Sequence, residues 1–524
     1  MSKEQIRQSD RRRTFGIISH PDAGKTTLTE QLLLLGGLIR EAGDVRARKT
    51  RRYATSDWMA IEKERGISVT SSVMQFEHNG RVVNLLDTPG HHDFSEDTYR
   101  VLTAVDSALM VIDSVKGVET QTHKLMEVCR MRTTPILTFI NKMDREGREP
   151  LELIDDIETS LRIDAVPLSW PIGAGARFRG TYDLQHNVLY LVDRDEPIPM
   201  PDLASTELDA FLGAAADDLR YDAELLAEAG TDFSVDAYLA GEQTPVLFGS
   251  ALDGFGVRQL LDTFVEIAPS PAARATTTRP VSPHETEFSG VVFKIQANMD
   301  PRHRDRMAFF RMCSGKYEPG MWVRHGRTDQ TFRLANAMAF MAQGREGTEE
   351  AWPGDIIGIP NHGTLRIGDT LTAQEPLQFT GIPSFAPEHF QKARIKNALR
   401  AKHMEKGLQH LVEEGAIQMF RPLVNTDYIL GAVGPLQFEV VRERLKSEYN
   451  VEAIMSPMTY AGARWVESGD EEALRDFMKK QASHLARDVD DSLVYMAPSM
   501  WWLNDTVEKW KSLTFRSTKE HVFD

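Results

Sequence analysis

Short apolar runs alternate with longer amphipathic segments along the first half of the chain. The apolar runs are nearly continuous, which is typical of strands buried on both faces of a parallel sheet. They lie at residues 15–18, 82–86, 108–112, 135–140 and 245–248. Helical segments follow the strands, at residues 28–35, 118–131 and 151–161 and up to about residue 267. This alternation predicts a doubly wound, mostly parallel α/β sheet, whose ligand binds at the carboxyl ends of the strands.

The pattern changes further along the chain. The stretch between residues 141 and 250 is too long for one βα unit and predicts an insertion at about residues 165–242. A linker rich in Pro, Thr and Ala leads into short strands separated by Gly turns, which predict a β-barrel. Helices and strands are mixed after that. We therefore predict an α/β domain over residues 1–275, a β-barrel domain over 285–378 and an α+β domain over 379–524.

The first apolar strand runs into a polar turn and then a helix. The turn reads Ser19-His20-Pro21-Asp22-Ala23-Gly24-Lys25-Thr26-Thr27. It fits the phosphate-loop pattern G-x-x-x-x-G-K-[ST], with Ser19 in place of the first glycine. Gly24 lets the backbone approach a phosphate, and Lys25 can reach the β- and γ-phosphates. The Thr26 hydroxyl can ligate Mg²⁺.

A second motif follows the strand at residues 82–86. It reads Asp87-Thr88-Pro89-Gly90-His91. Asp87 ends a strand next to the phosphate loop, where a carboxylate can hold Mg²⁺ through water. Gly90 can offer its backbone N–H to the γ-phosphate, and its peptide can reorient when that phosphate leaves. His91 can position the attacking water and is the catalytic candidate.

Two more motifs select the base. Asn141-Lys142-Met143-Asp144 follows one strand, and Gly249-Ser250-Ala251-Leu252 follows another. The Asp144 carboxylate can accept hydrogen bonds from guanine N1–H and the 2-amino group, which adenine lacks. A site built on such a bond can reject the wrong base by about 10⁴-fold or more. Asn141 can bridge to the phosphate loop, the Lys142 stem can cover the base, and the Ala251 N–H can meet guanine O6. These motifs predict a site for GTP and GDP.

Composition limits the partners. Lys and Arg number 61 against 77 Asp and Glu, and the net charge of −16 argues against indiscriminate coating of nucleic acid. Eleven acidic residues and one basic residue lie between positions 201 and 242. The two cysteines, Cys129 and Cys313, form no disulfide or zinc pattern, which fits a reducing compartment. The chain shows neither a signal-peptide pattern nor an apolar run of membrane-spanning length, so we expect a cytoplasmic protein that does not bind membranes.

Together the motifs S-H-P-D-A-G-K-T, R-G-I-S, D-T-P-G-H, N-K-M-D and G-S-A-L resemble those of the translational GTPases. The resemblance implies a GTP-dependent switch that acts on the ribosome. It places a first switch in the loop that ends at Ser68 and a second at residues 87–99. It implies Mg²⁺ ligation by Thr26 and Ser68, with Asp87 acting through water. No arginine finger is evident, so the resemblance implies that the ribosome brings His91 into place and thereby stimulates hydrolysis.

Further segments extend the resemblance over essentially the whole chain. They lie at residues 93–100, 293–306, 379–388 and 445–453. They resemble the release factor 3 family of bacteria, which promotes departure of class-I release factors from the ribosome after peptide release. Pro435 departs from the family pattern. The residue at which the following helix starts is therefore left undetermined. The resemblance implies rRNA and ribosomal proteins as partners, no DNA, and a monomer, and the basic loop at residues 302–306 is a candidate for rRNA phosphates.

Three alternatives remain at this point. An elongation-factor-G-like ribosomal GTPase shares the switches, the barrel and an α+β domain, but is longer. A GTP-gated binding protein uses the same site without meeting the ribosome. An ATPase uses the same phosphate loop with another base.

Overall fold

The computed structural model describes residues 3–39, 71–230, 232–297, 306–334, 336–341, 344–425 and 427–520. Several positions singled out in the sequence lie outside these ranges. They are Ser68, the predicted first switch from residue 40 onward, and residues 302–305 of the basic loop.

The N-terminal part of the chain is an α/β domain. Its strands are β1 (Arg12–Ser19), β2 (Ser72–His78), β3 (Arg81–Asp87), β4 (Ser107–Asp113), β5 (Ile136–Asn141), β6 (Asp164–Pro167), β7 (Ser169–Ile172), β8 (Gly180–Asp183), β9 (Val188–Leu191), β10 (Ile198–Pro199) and β11 (Gln243–Phe248). Its helices are α1 (Lys3–Asp10), α2 (Lys25–Leu35), α3 (Ser95–Ala104), α4 (Thr120–Met131), α5 (Pro150–Leu161), α6 (Thr206–Leu212), α7 (Ala215–Ala229), α8 (Val235–Leu239) and α9 (Val257–Ile267).

Seven of these strands form one sheet in the order β2-β3-β1-β4-β5-β11-β6. Only β2 runs antiparallel to its neighbour, through a hairpin in which Asn79 and Gly80 both have positive φ, as a type I′ turn requires. Ile17 and Ile18 point into different hydrophobic cores on the two faces of this sheet. Burial on both faces explains the uninterrupted apolar runs in the sequence. The doubly wound α/β fold is therefore confirmed.

The insertion forms its own small layer. Strands β7 to β10 make a four-stranded antiparallel sheet, and α6 to α8 carry the acidic segment. The buried Trp170 donates a hydrogen bond of 3.0 Å to Asp222 of α7, which fixes that helix on the sheet.

The middle of the chain is all β. Its strands are β12 (Ser289–Ala297), β13 (Arg306–Ser314), β14 (Met321–His325), β15 (Thr331–Leu334), β16 (Met338–Met341), β17 (Gly344–Gly347), β18 (Ile356–Pro360) and β19 (Thr370–Thr372). They form one eight-stranded sheet in which neighbouring strands pair antiparallel. The β-rich character of the barrel predicted for this region is confirmed, and its closure into a barrel and its exact boundaries stay predictions.

The C-terminal part is α+β, as predicted. Its strands are β20 (Pro383–Phe385), β21 (His389–Ile395), β22 (Gln418–Pro422), β23 (Tyr428–Ala432), β24 (Ala453–Pro457), β25 (Gly462–Glu467), β26 (Leu485–Arg487), β27 (Leu493–Ala497), β28 (Thr514–Arg516) and β29 (Thr518–Glu520). Its helices are α10 (Ala401–Glu413), α11 (Leu436–Tyr449), α12 (Glu471–Lys480) and α13 (Met500–Lys509). Pro435 directly precedes α11 with φ −65°, so it starts that helix without strain.

Both cysteines are buried thiols. Burial raises the pKa of Cys129 to about 12 and that of Cys313 to about 11. No helix in the described part of the chain is long and apolar enough to cross a membrane.

Buried ion pairs join the α/β domain to the β domain. Asp106, which precedes β4, contacts the guanidinium of Arg311 on β13, and both side chains are almost fully buried. Arg274, which follows α9, lies 3.3 Å from the other oxygen of Asp106. A second buried pair joins Arg12 to Asp355 at 3.0 Å. These buried ion pairs link the two domains. Each charge in them would be destabilising without its partner.

Asp106→Ala should destabilise the protein strongly, because it leaves Arg311 buried without its carboxylate. Breaking a buried pair from one side costs about 3–5 kcal/mol. Urea denaturation should show this loss in the free energy of unfolding. Glu471→Ala is the control, since it removes an exposed pair with Arg475 on α12 that contributes only about 0.3–0.5 kcal/mol. Equal losses in the two variants would contradict the role given to Asp106.

Candidate functional site

The predicted phosphate loop lies between the end of β1 and the start of α2. Gly24 caps α2 with φ 95°, a left-handed conformation that favours glycine. A Cβ at this position would collide with the amide nitrogen of Asn141. Glycine is therefore required where the loop meets the helix, at the end whose dipole and backbone N–H groups favour an anion.

Lys25 and Asp87 meet at this point. The Lys25 ammonium contacts Oδ1 of Asp87 at the end of β3, and both side chains are buried. Thr88 is fixed by a hydrogen bond of 2.6 Å from its hydroxyl to the carbonyl of Ile17 on β1. The residue predicted to reach phosphates and the carboxylate predicted to act on Mg²⁺ are thus side by side.

The base-selecting motifs meet the phosphate loop through Asn141, at the end of β5. Its Nδ2 donates to the carbonyl of Ala23 at 2.8 Å, and its Oδ1 accepts from the N–H of Ala251 at 2.8 Å. The Ser250 hydroxyl lies 2.8 Å from Oδ1 of Asp144 and 2.7 Å from Asp253, and Oδ2 of Asp144 lies 3.9 Å from Nε of Arg145. The three loops therefore form one continuous surface.

Lys142 lies along the edge of this surface. It adopts φ 71°, and its ammonium donates to Asp113 at 2.6 Å and to the carbonyl of Asp22. Burial opposes ionisation of Asp113, yet the hydrogen bond from Lys142 holds its pKa below the usual range. Asp113 was not predicted as a site residue. Its position at the end of β4, on the same sheet edge, was the available signal.

His20 supports the phosphate loop from the protein interior. Its ring is fully buried, and Nδ1 lies 2.7 Å from the carbonyl of Pro21 and 2.8 Å from Glu119 before α4. Nδ1 therefore carries the proton. Burial lowers the pKa of His20, which favours the neutral ring, although Glu119 opposes this shift. Glu119 was also missed, because no sequence pattern links it to the loop.

His91 stands on a short 3₁₀ turn that precedes α3. Its Nδ1 accepts a hydrogen bond of 3.2 Å from the N–H of Asp93, and its side chain is 37% exposed. His92, next to it, points to α4, where its Nε2 lies 2.9 Å from the Lys124 ammonium. Burial and that ammonium both lower the pKa of His92. The two neighbouring histidines are both half-buried but have different polar partners.

Helix α3 of the α/β domain contacts both other domains. Asp97 lies 3.1 Å from the ammonium of Lys294 on β12, and Arg100 donates to the carbonyl of Gly415 after α10 at 3.0 Å. Burial raises the pKa of Glu96, while Lys294 and Arg100 hold the pKa of Asp97 below its usual range against its own burial. Helix α3 carries part of the predicted second switch. A movement of this switch would therefore change the contacts of α3 with both other domains.

The structure brings the four motifs together at the carboxyl ends of β1, β3, β5 and β11. Thr26 and Asp87 belong to this group, whereas Ser68 lies outside the described residues. No cluster of three or more His, Cys, Asp or Glu that could hold a metal is found among the residues described. The assigned roles in binding and catalysis stay predictions.

Comparisons with known proteins match consecutive parts of the chain. Residues 10–270 match the model of the elongation factor Tu GTP binding domain, residues 287–374 that of elongation factor G domain 2, and residues 379–507 that of the class II release factor RF3 C-terminal domain.

A crystal structure of the protein ttk003000868 from Thermus thermophilus has the same fold. It superposes with a TM-score of 0.69 at 23% identity, and the match covers 87% of this chain and 70% of that one. A GTPase domain, an elongation factor G type second domain and a release factor C-terminal domain thus follow one another along a single polypeptide. The three matches together support a release factor 3-like translational GTPase.

Proposed function

We propose that the protein binds the ribosome at termination and uses GTP to promote the dissociation and recycling of class-I peptide chain release factors. The observation that carries this proposal is the match of residues 379–507 to a release factor C-terminal domain. The same match favours this role over an elongation-factor-G-like one. As a translation factor it would work in the cytoplasm, and we propose a monomer.

The binding roles follow the geometry of the loops. Backbone N–H groups of residues 19–27, except Pro21, would hold the phosphates, assisted by Lys25. Asp144 would accept from guanine, with Ala251 at its O6. Mg²⁺ prefers oxygen ligands, and the hydroxyl of Thr26 and the carboxylate of Asp87 fit that preference. Thr26 and Ser68 would hold the ion directly and Asp87 through water, and the ion would neutralise charge on the phosphates.

His91 would position the water that attacks the γ-phosphate. In this structure its Nδ1 accepts from the N–H of Asp93, which restrains the ring, and we infer that the ring reorients before it acts. We propose that ribosome binding supplies this reorientation, and that the protein alone is a slow enzyme. GTP would favour one domain arrangement, and that arrangement would bind a ribosomal state in which the class-I factor fits poorly. Binding can shift such an equilibrium only by its difference in affinity for the two states.

The decisive experiment measures GTP hydrolysis with and without ribosomes, together with release of a class-I factor bound at a stop codon. We expect ribosomes to stimulate hydrolysis and GTP to accelerate release of the factor. A translocation assay is the control. Translocation activity without factor release would reject the proposal in favour of the elongation-factor-G-like role.

Gly24→Ala should abolish tight guanine nucleotide binding. The added Cβ collides with Asn141, so the loop must move away from the base-selecting motif. Gly80→Ala is the matched control, because it too places Ala at a positive φ, but with no described atom within 4 Å of its Cβ. Titration of a fluorescent GDP analogue should show loss of affinity only in the first variant. Equal affinities would contradict the close packing at Gly24.

Asp144→Asn should move the preference from guanine to xanthine nucleotides. The carboxamide can donate to the 2-oxo group of xanthine, while the carboxylate needed by the 2-amino group of guanine is lost. A site of this kind discriminates by about 10⁴-fold or more. Competition between GTP and XTP for the bound analogue measures the change. An unchanged preference would remove Asp144 from base recognition.

His91→Ala should leave GTP affinity unchanged and abolish ribosome-stimulated hydrolysis. The side chain lies outside the phosphate loop, so its loss removes no binding contact. Losing one positioned catalytic side chain should cost about 10²–10⁴-fold in rate. Single-turnover hydrolysis on ribosomes measures it, and normal turnover would exclude His91 from the mechanism.

A further inference from the structure

The turn that carries His91 is in direct contact with the C-terminal domain. Asp93 lies two residues after His91 and is buried. Its Oδ2 accepts a hydrogen bond of 2.6 Å from the backbone N–H of Leu436, the first residue of α11. A carboxylate at this place meets an otherwise unpaired N–H group and the positive end of the helix dipole.

The start of α11 is shaped to receive this carboxylate. Pro435 has no N–H, and Oε1 of Gln437 already accepts from the N–H groups of Val433 at 2.8 Å and Gly434 at 3.2 Å. The Leu436 N–H is therefore the donor left for Asp93. A Cβ on Gly434 would lie 2.7 Å from Cα of Asp93 and closer still to its carboxyl carbon, so glycine is needed here for space.

Asp93 also acts on His91. Its backbone N–H donates to His91 Nδ1 at 3.2 Å, and its Oδ1 lies 3.3 Å from that nitrogen, a contact that becomes an ion pair only when the ring is protonated. The residue that caps α11 thus also fixes the imidazole. The hydrogen bond that orients His91 and the one that docks α11 thus share one residue, Asp93, through its backbone N–H and its carboxylate.

We propose that Asp93 is a positioning residue that restrains His91 for as long as α11 is docked on it. Movement of α11 away from Asp93 frees the turn, and His91 can then leave its hydrogen bond with the Asp93 N–H. The position of the C-terminal domain thereby controls GTP hydrolysis. This inference rests on the catalytic role proposed for His91.

Gly434→Ala tests the restraint from the C-terminal side. Gly434 does not have a positive φ, so alanine fits its backbone and the added methyl group excludes only Asp93. We expect single-turnover GTP hydrolysis without ribosomes to rise about three- to tenfold, where each tenfold corresponds to about 1.36 kcal/mol of barrier. GTP affinity should stay unchanged, since residue 434 is remote from the phosphate loop. An unchanged or slower rate would overturn the proposal.

Arg100→Lys is the matched control. It weakens another contact between α3 and the C-terminal domain, the one to the Gly415 carbonyl, without touching the His91 turn. A comparable rise in this variant would mean that general loosening of the interface is responsible, and would overturn the role of Asp93. The rise in Gly434→Ala must also vanish when His91→Ala is added, and must not grow when Asp93→Ala is added.

Asp93→Asn provides the second test if Gly434→Ala fails to fold by circular dichroism. Asn keeps an acceptor for the Leu436 N–H but loses the charge, so it should raise the rate less than Asp93→Ala does. Equal rates in the wild type and both variants would overturn the proposal. Factor recycling plays no part in these measurements. If the protein fails to release class-I factors but Gly434→Ala raises its hydrolysis rate, only the proposed function is refuted. If it releases these factors but Gly434→Ala leaves the rate unchanged, only the restraint on His91 is refuted.

Discussion

One amide side chain, that of Asn141, is the interaction on which the rest of the site depends. It donates to the phosphate loop at Ala23 and accepts from the N–H of Ala251, so a single planar group joins three loops from different strands. Both partners of this amide are backbone atoms. The two bonds therefore fix the positions of residues 23 and 251 without requiring particular side chains there. A buried polar group left without its partner costs about 1–3 kcal/mol, and loss of this amide would leave one such group on each side.

The sheet beneath that amide was predictable because its cause is local and repeated. Strands covered on both faces must be apolar at every position, and the runs around Ile17 and Ile18 have this property. Parallel strands bring their carboxyl ends to one edge, so motifs at those ends had to converge. The fold class and the grouping of Lys25, Asp87 and Asn141 followed from these two facts.

The partners of the site residues were not predictable in the same way. Asp113 supports Lys142, and Glu119 supports His20, through contacts that depend on where separate strands and loops end in space. The bond from Leu436 to Asp93 joins residues 343 positions apart. The sequence marks Pro435 as a departure from the family pattern. The structure shows its effect: Pro435 offers no N–H, and the N–H of the next residue, Leu436, bonds to Asp93. Ser68 lies outside the described residues, so its role stays a prediction.

The two buried cysteines have a practical consequence for work on this protein. Thiol reagents attack the thiolate, and burial keeps Cys129 and Cys313 both protonated and shielded near neutral pH. The natural chain can therefore serve unchanged as the background for maleimide labelling. A pair of engineered surface cysteines, one on the α/β domain and one on the C-terminal domain, would carry dyes whose energy transfer reports the distance between the two.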